Sequence, residues 1–250
     1  MSAPILVSTE QKVATLAINR EQRRNSLDHT AVAAFRDALQ ECTDGDVSVI
    51  VIRGAGDKAF CAGDDIKAYA ERTRPENRKH HATGLRLLEA IEEHPCLVVA
   101  AIEGFCLGGG LELAICCDYR IAGESATFGL PEVRKLNVLP SWGGLTRLPK
   151  LIGMARAKSL VLMGERHTAA EAQSMGLVNE AVTDGEAYDT AHRLAIDYAK
   201  HVDRSTIELA KRTLLNADSA PGGTARFLNE LVDAALGSDE ILGAGVHKEV

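Results

Sequence analysis

Basic charge is what this sequence has too little of: 28 Lys and Arg stand against 35 Asp and Glu in 250 residues, a formal net charge of −7. The diffuse positive field that sequence-independent nucleic-acid binding requires is missing, so no nucleic-acid partner is expected. No stretch reaches the about 20 apolar residues of a bilayer-spanning helix. Met1 to Val13 also lacks a basic segment followed by an apolar run and a small-residue cleavage site. Neither a membrane partner nor a signal peptide is expected. The six cysteines, Cys42, Cys61, Cys96, Cys106, Cys116 and Cys117, form no CxxC pair and sit mostly among apolar or glycine neighbours. They read as reduced, buried thiols of a cytoplasmic protein. HExxH is absent, and His80-His81 sit in a charged stretch without partners at metal-ligand spacing. No metal site is expected.

What is present is ordinary globular usage, 46% hydrophobic and 25% charged residues, enough to bury a sizeable core. Ile5 to Asn19 alternates and carries β-branched residues, which predicts two short strands around Glu10-Gln11-Lys12. Asp28 reads as the N-cap of a helix whose apolar residues are Ala31, Val32, Phe35 and Leu39. Val47 to Ile52 and Cys96 to Ile102 read as buried strands. Between them lie a polar, charge-mixed stretch from Tyr69 to His81 and a helix over Leu85 to Ile91. Leu111 to Cys117 follows a glycine break as a further helix. From Ala187 onward the apolar spacing is helical, at Leu194, Tyr198, Ile207, Leu214, Phe227 and Leu231. Strands alternating with helices imply an α/β architecture.

Gly104-Phe105-Cys106-Leu107-Gly108-Gly109-Gly110-Leu111-Glu112-Leu113 is the most informative segment. Three consecutive glycines where a strand meets a helix leave backbone N–H groups open, able to face an anionic oxygen with help from the helix dipole. A glycine turn that merely allows tight packing is the alternative reading of the run alone. Glu112 argues against it, because a carboxylate among Leu111, Leu113, Ala114 and Ile115 is costly to bury without a purpose. Glu132 follows 20 positions later in Phe128-Gly129-Leu130-Pro131-Glu132. A lone Glu in a loop is usually solvated, whereas two carboxylates meeting in one pocket would divide acid and base duties. Gly54-Ala55-Gly56-Asp57-Lys58-Ala59 opens like a dinucleotide-binding turn, but Phe60-Cys61-Ala62-Gly63 interrupts where a helix should begin. Leu139-Pro140-Ser141-Trp142-Gly143 lacks the first glycine of a nucleophile elbow, so Ser141 reads as a turn residue.

Together, Ala59-Phe60-Cys61-Ala62-Gly63-Asp64-Asp65-Ile66-Lys67, the Gly104 to Glu112 segment, Cys117-Asp118 and Ala126-Thr127-Phe128-Gly129-Leu130-Pro131-Glu132 resemble the ordered signature of the enoyl-CoA hydratase/isomerase (crotonase) family. The resemblance runs from about Ile5 to Glu180. It implies a crotonase-like spiral of ββα units over residues 1–190 and a helical oligomerisation region over 191–250, giving homotrimers or dimers of trimers. It implies an acyl-CoA substrate, no further cofactor, and an oxyanion hole made by the N–H groups of Asp64 and Gly109. Glu112 would activate water and Glu132 protonate the α-carbon, which favours a hydratase. Isomerisation, hydrolysis of a cyclic diketone or keto thioester, and a non-catalytic binding role are the alternatives on the same scaffold. Lys67 would meet the phosphates of coenzyme A, with Ala62, Asp65, Ile66 and the turn Arg23-Arg24-Asn25-Ser26 forming its adenine and pantetheine cradle.

Three departures from the family pattern stand out. Asp64 occupies an oxyanion position commonly held by Ala, so its carboxylate bears on the pocket's field and on the polarity of the acyl group. Between Glu132 and Gly143 the chain is about one residue longer than usual, with Ser141-Trp142 where small residues are common. Trp142 then either reshapes the acyl pocket or fills core space. Many relatives close with an aromatic and basic segment that contacts coenzyme A; this sequence ends Val246-His247-Lys248-Glu249-Val250, and weaker cofactor binding is the expectation.

Overall fold

The computed structural model describes residues 3–216. Ile5–Glu10 (β1) and Val13–Ile18 (β2) form an antiparallel hairpin that turns at Gln11 and Lys12. His29–Asp44 (α1) starts where Asp28 accepts the Ala31 N–H at 2.9 Å, the cap that the sequence predicts. The chain then repeats one pattern. Val49–Gly54 (β3) pairs in parallel with β2, Ala59–Cys61 (β4) leaves it for a second sheet, and the helices Ile66–Glu71 (α2) and Arg74–Glu92 (α3) follow. Leu97–Ile102 (β5) pairs with β3, Phe105–Leu107 (β6) with β4, and Gly109–Ala114 (α4) follows. Tyr119–Gly123 (β7) pairs with β5 and Thr127–Gly129 (β8) with β6, before Gly144–Ile152 (α5) and Met154–Lys158 (α6). Arg166–Thr168 (β9) closes the small sheet, and Ala169–Ser174 (α7), Glu180–Val182 (β10) and Ala187–His201 (α8) complete the unit. The sheet orders are β1-β2-β3-β5-β7-β10 and β4-β6-β8-β9. Each turn thus gives one strand to each sheet and then a helix, the spiral of ββα units that the resemblance implies.

Period-two alternation decides what each face of the large sheet meets. Val13, Val49, Val51, Val99, Ala101 and Ile121 pack against Ala187, Ala191 and Ala195 of α8. Those alanines recur every fourth residue, a stripe without bulk that lets the helix lie close to the strands. Their neighbours in sequence, among them Leu16, Ile18, Ile50, Ile52, Val98 and Ile102, point into the larger core with Phe35, Leu87 and Leu88. Burial on both faces explains why these parallel strands read as near-continuous apolar runs.

The polar, charge-mixed stretch from Tyr69 to His81, for which the sequence reading gives no element, is mostly helical. Thr73 and Glu76 form a capping box and Pro75 sits in the first turn of α3, so the helix begins eleven positions before Leu85, at Arg74. A short strand, β6, also lies inside the glycine-rich break. All six cysteines are buried thiols, and burial pushes those of Cys42 and Cys61 up to about 12. Among the described residues no helix is long and apolar enough to cross a membrane.

The chain divides into two units, 1–204 and 205–250. All of α8 belongs to the first. The second is described over residues 205–216, within the helix Arg204–Asn216 (α9). The helical spacing expected at Phe227 and Leu231 and the terminal segment Val246 to Val250 lie outside the described residues.

Polar side chains hold the turn after β2 in place. Asn25 Nδ2 donates to Ala55 O (2.9 Å) and Ala59 O (2.6 Å), while its Oδ1 accepts from Arg20 N (3.1 Å). Its φ of 56° is one that Asn tolerates better than most residues. Arg20 Nη2 meets Asp28 Oδ2 at 2.6 Å and Asp65 Oδ2 at 3.1 Å. Asn25→Ala strands buried carbonyls without a donor, and the expected loss is about 2–4 kcal/mol. Urea unfolding checks it: the midpoint falls with the slope unchanged.

Candidate active site

The parallel strands β4 and β6 run side by side, and the chain leaves both through glycine. A methyl group on Gly63 would stand 2.8 Å from Gly109 N, so the two backbones touch here. Leu27 N donates to Gly63 O (2.8 Å) and Asp65 N to Leu27 O (3.4 Å), which turns the N–H of the intervening Asp64 to the opposite side. Gly109 is the first residue of α4, and its N–H has no acceptor within the helix. Neither N–H donates to a backbone acceptor among the described residues. Both residues line a cavity of about 330 Å³ that also takes in Glu112, Glu132, Ala62 and Ile66. Six of the residues singled out in the sequence therefore converge on one space.

Glu112 is buried to 2% exposure on α4. Its Oε1 accepts two N–H groups, from Trp142 at 3.0 Å and Gly144 at 2.8 Å. Burial raises its pKa, and those two donors and the more distant Arg147 oppose the rise. Two donors on one oxygen fix the carboxylate's orientation. The other oxygen is left for the cavity.

Glu132 begins a π-turn, Glu132–Leu136, closed by the Asn137 N–H on Glu132 O. Such a turn holds one residue more than an α-helical turn. Glu132 Oε2 is buried without a hydrogen-bond partner. Burial pushes its carboxyl from 4.5 up to about 7, with the nearby Glu112 charge adding to the rise against its own backbone N–H. A side chain on Gly108 would stand 2.6 Å from Glu132 Oε1, and φ there is 58°. Glycine at 108 is thus a condition for Glu132 to reach the cavity.

The remaining sequence candidates lie elsewhere. Arg23 and Arg24 are exposed on the turn after β2, where the Arg24 guanidinium covers the Phe105 ring at 5.1 Å. Ser26 is buried and its carbonyl accepts from Arg20. Asp65 caps α2 by accepting from Lys67 N (3.1 Å) and Ala68 N (3.3 Å), and Lys67 is exposed on that helix. None of these five residues lines the cavity.

Several wall residues escaped the sequence reading. Tyr69 and His81 stack with ring centroids 6.0 Å apart, and both line the cavity with Leu136 and Leu139. Burial holds the His81 pKa below its ordinary value. The Asp64 carboxylate turns toward α2 and α3: Arg72 Nη2 donates to its Oδ1 at 2.7 Å and His80 Nε2 lies 3.0 Å away. Arg72 thereby compensates a charge that would otherwise bear on the cavity. The missed signal was helical spacing, since His80, Gly84, Leu87, Leu88 and Ile91 share the buried face of α3.

The family described as enoyl-CoA hydratase/isomerase matches this chain over residues 8–229. Crotonyl-CoA hydratase of Syntrophomonas wolfei is 40% identical over 192 residues, 76% of this chain and 74% of that protein. Human mitochondrial methylglutaconyl-CoA hydratase is 36% identical over 189 residues, 75% of this chain and 56% of that protein. A crystal structure of enoyl-CoA hydratase from Bacillus anthracis superposes with a TM-score of 0.90 at 33% identity, covering 96% of this chain and 94% of that one.

The raised carboxyl of Glu132 makes stability depend on pH. Between 4.5 and about 7 the folded chain keeps a proton that the unfolded chain has released, so this group's contribution to stability falls as pH rises through that window. Glu132→Gln removes the effect. Relative to the parent, the variant gains roughly 2–3 kcal/mol between about pH 5 and pH 8. Urea titrations of both proteins at the two pH values measure the difference.

Proposed function

The chain belongs to the enoyl-CoA hydratase/isomerase family, and within it we propose that it is an enoyl-CoA hydratase, a lyase adding water reversibly across the 2,3 double bond of an acyl-CoA. The observation that carries this reading is the meeting of the buried Glu112, the half-buried Glu132 and two adjacent free N–H groups in one cavity. In the proposed reaction the thioester oxygen sits between the N–H groups of Asp64 and Gly109. Charge that develops there as an enolate is stabilised by donors already in place, which opens the β-carbon to attack. Water adds to that carbon and gives its proton to Glu112, while Glu132 gives its proton to the α-carbon. The substrate gains one water, and proton exchange with solvent resets the pair.

The two environments suit this division of labour. Glu112 is oriented through one oxygen by Trp142 and Gly144, as a base that must aim at a water needs to be. Glu132, at about 7, holds a proton to donate near neutral pH. Having both acids favours hydration over isomerisation or thioester hydrolysis. Ala62 and Ile66 in the cavity wall, with Arg23, Arg24 and Lys67 on the surface and the buried Ser26 and Asp65, are the proposed cradle for coenzyme A. The homotrimer or dimer of trimers and the cytoplasmic setting are part of the same reading.

Loss of the enoyl thioester's ultraviolet absorbance with crotonyl-CoA and a panel of longer, branched and cyclic enoyl-CoAs tests it. Glu112→Gln and Glu132→Gln are each expected to lower kcat by about 10²–10⁴-fold. Binding of these esters without any hydration would keep the scaffold and discard the reaction.

A further inference from the structure

The indole of Trp142 takes no part in the proposed chemistry, which uses only its backbone N–H. It is 1% exposed and yet borders the cavity. A methyl group on Gly109 would lie 2.6 Å from ring carbons Cε3 and Cζ3, and one on Gly84 would lie 2.2 Å from Nε1. Gly109 opens α4 and Gly84 belongs to α3, so the ring bridges the two helices through notches that only glycine leaves. His80 closes the far side edge-on, with centroids 5.7 Å apart. The backbone that carries the ring is tied down as well. Arg147 Nη1 donates to Trp142 O at 3.3 Å, and the same guanidinium pairs with Glu92 of α3 at 2.6 Å.

We propose that Trp142 is the inner wall of the acyl site and confines the substrate to short acyl groups. The inference rests on reading the cavity as an acyl-thioester site. With the thioester oxygen at Asp64 and Gly109, the side marked by the exposed Ile66, next to the proposed cradle, is open to solvent and suits the coenzyme arm. An acyl chain growing the other way meets the indole where it lies against Gly109. Close packing on both faces and the Arg147 tether leave the ring nowhere to retreat. Each methylene beyond the wall then has no room, and one misfitting methylene in such a pocket changes specificity by about 10–200-fold.

Calorimetry with saturated butanoyl-, hexanoyl- and octanoyl-CoA reads the wall without turnover, and kcat/KM for the matching enoyl-CoAs reads it with turnover. The parent protein is expected to bind butanoyl-CoA at least about tenfold more tightly than octanoyl-CoA, and Trp142→Ala to shift that ratio at least about tenfold toward the longer ester. Trp142→Leu gives an intermediate shift. Equal or tighter binding of octanoyl-CoA by the parent overturns the proposal, whether or not a variant folds. A folded Trp142→Ala protein with the parent's ratio overturns it too. A chain-length limit in binding with no hydration of any enoyl ester leaves the wall standing and removes the hydratase reading alone. Failure of every acyl-CoA to bind removes both.

Discussion

A carboxylate as deeply buried as Glu112 is tolerable only where donors face it or where it takes up a proton. The donors here are the N–H groups of Trp142 and Gly144, which lie 30 and 32 positions further along the chain. That one requirement draws the loop before α5 over the start of α4. With the loop comes Arg147, whose pairing with Glu92 anchors it to the end of α3. The π-turn at Glu132 lies in the same excursion, so the second glutamate reaches the cavity as part of the path that serves the first.

The contact between the chain at Gly63 and Gly109 has a comparable reach. Two parallel strands of the small sheet must end level with each other for two N–H groups to stand side by side, and only residues without Cβ let the exits come so near. The large sheet contributes no cavity residue from its strands; it fixes the small sheet by contributing one strand to each turn of the spiral. Core packing and site geometry are thus joined through the alternation of strands between sheets.

Much of this was legible in the sequence wherever one residue type admits few physical readings. The β-branched runs of β3 and β5, the Asp28 cap and the glycine exit before α4 are of that kind, and so is Glu112 in its apolar surroundings. The stretch from Tyr69 to His81 shows only mixed charge, which masks a helix whose start, Thr73 to Glu76, is nonetheless written as a capping box. Glu132 was ambiguous because its burial comes from chain segments distant in sequence. Nothing local to Asp64 announces Arg72 and His80 as its partners; one stands at the end of α2 and the other on α3, and only the fold brings both to the turn after β4.

Trp142 is the chain's single tryptophan. Held between two helices, shielded from water and edge-on to His80, its indole is the sole emitter of its kind and stands at the wall of the cavity. Indole emission depends on the polarity and charge around the ring, so the protein carries its own optical gauge of that site. An acyl group arriving beside the ring registers in the light the protein emits with no label attached.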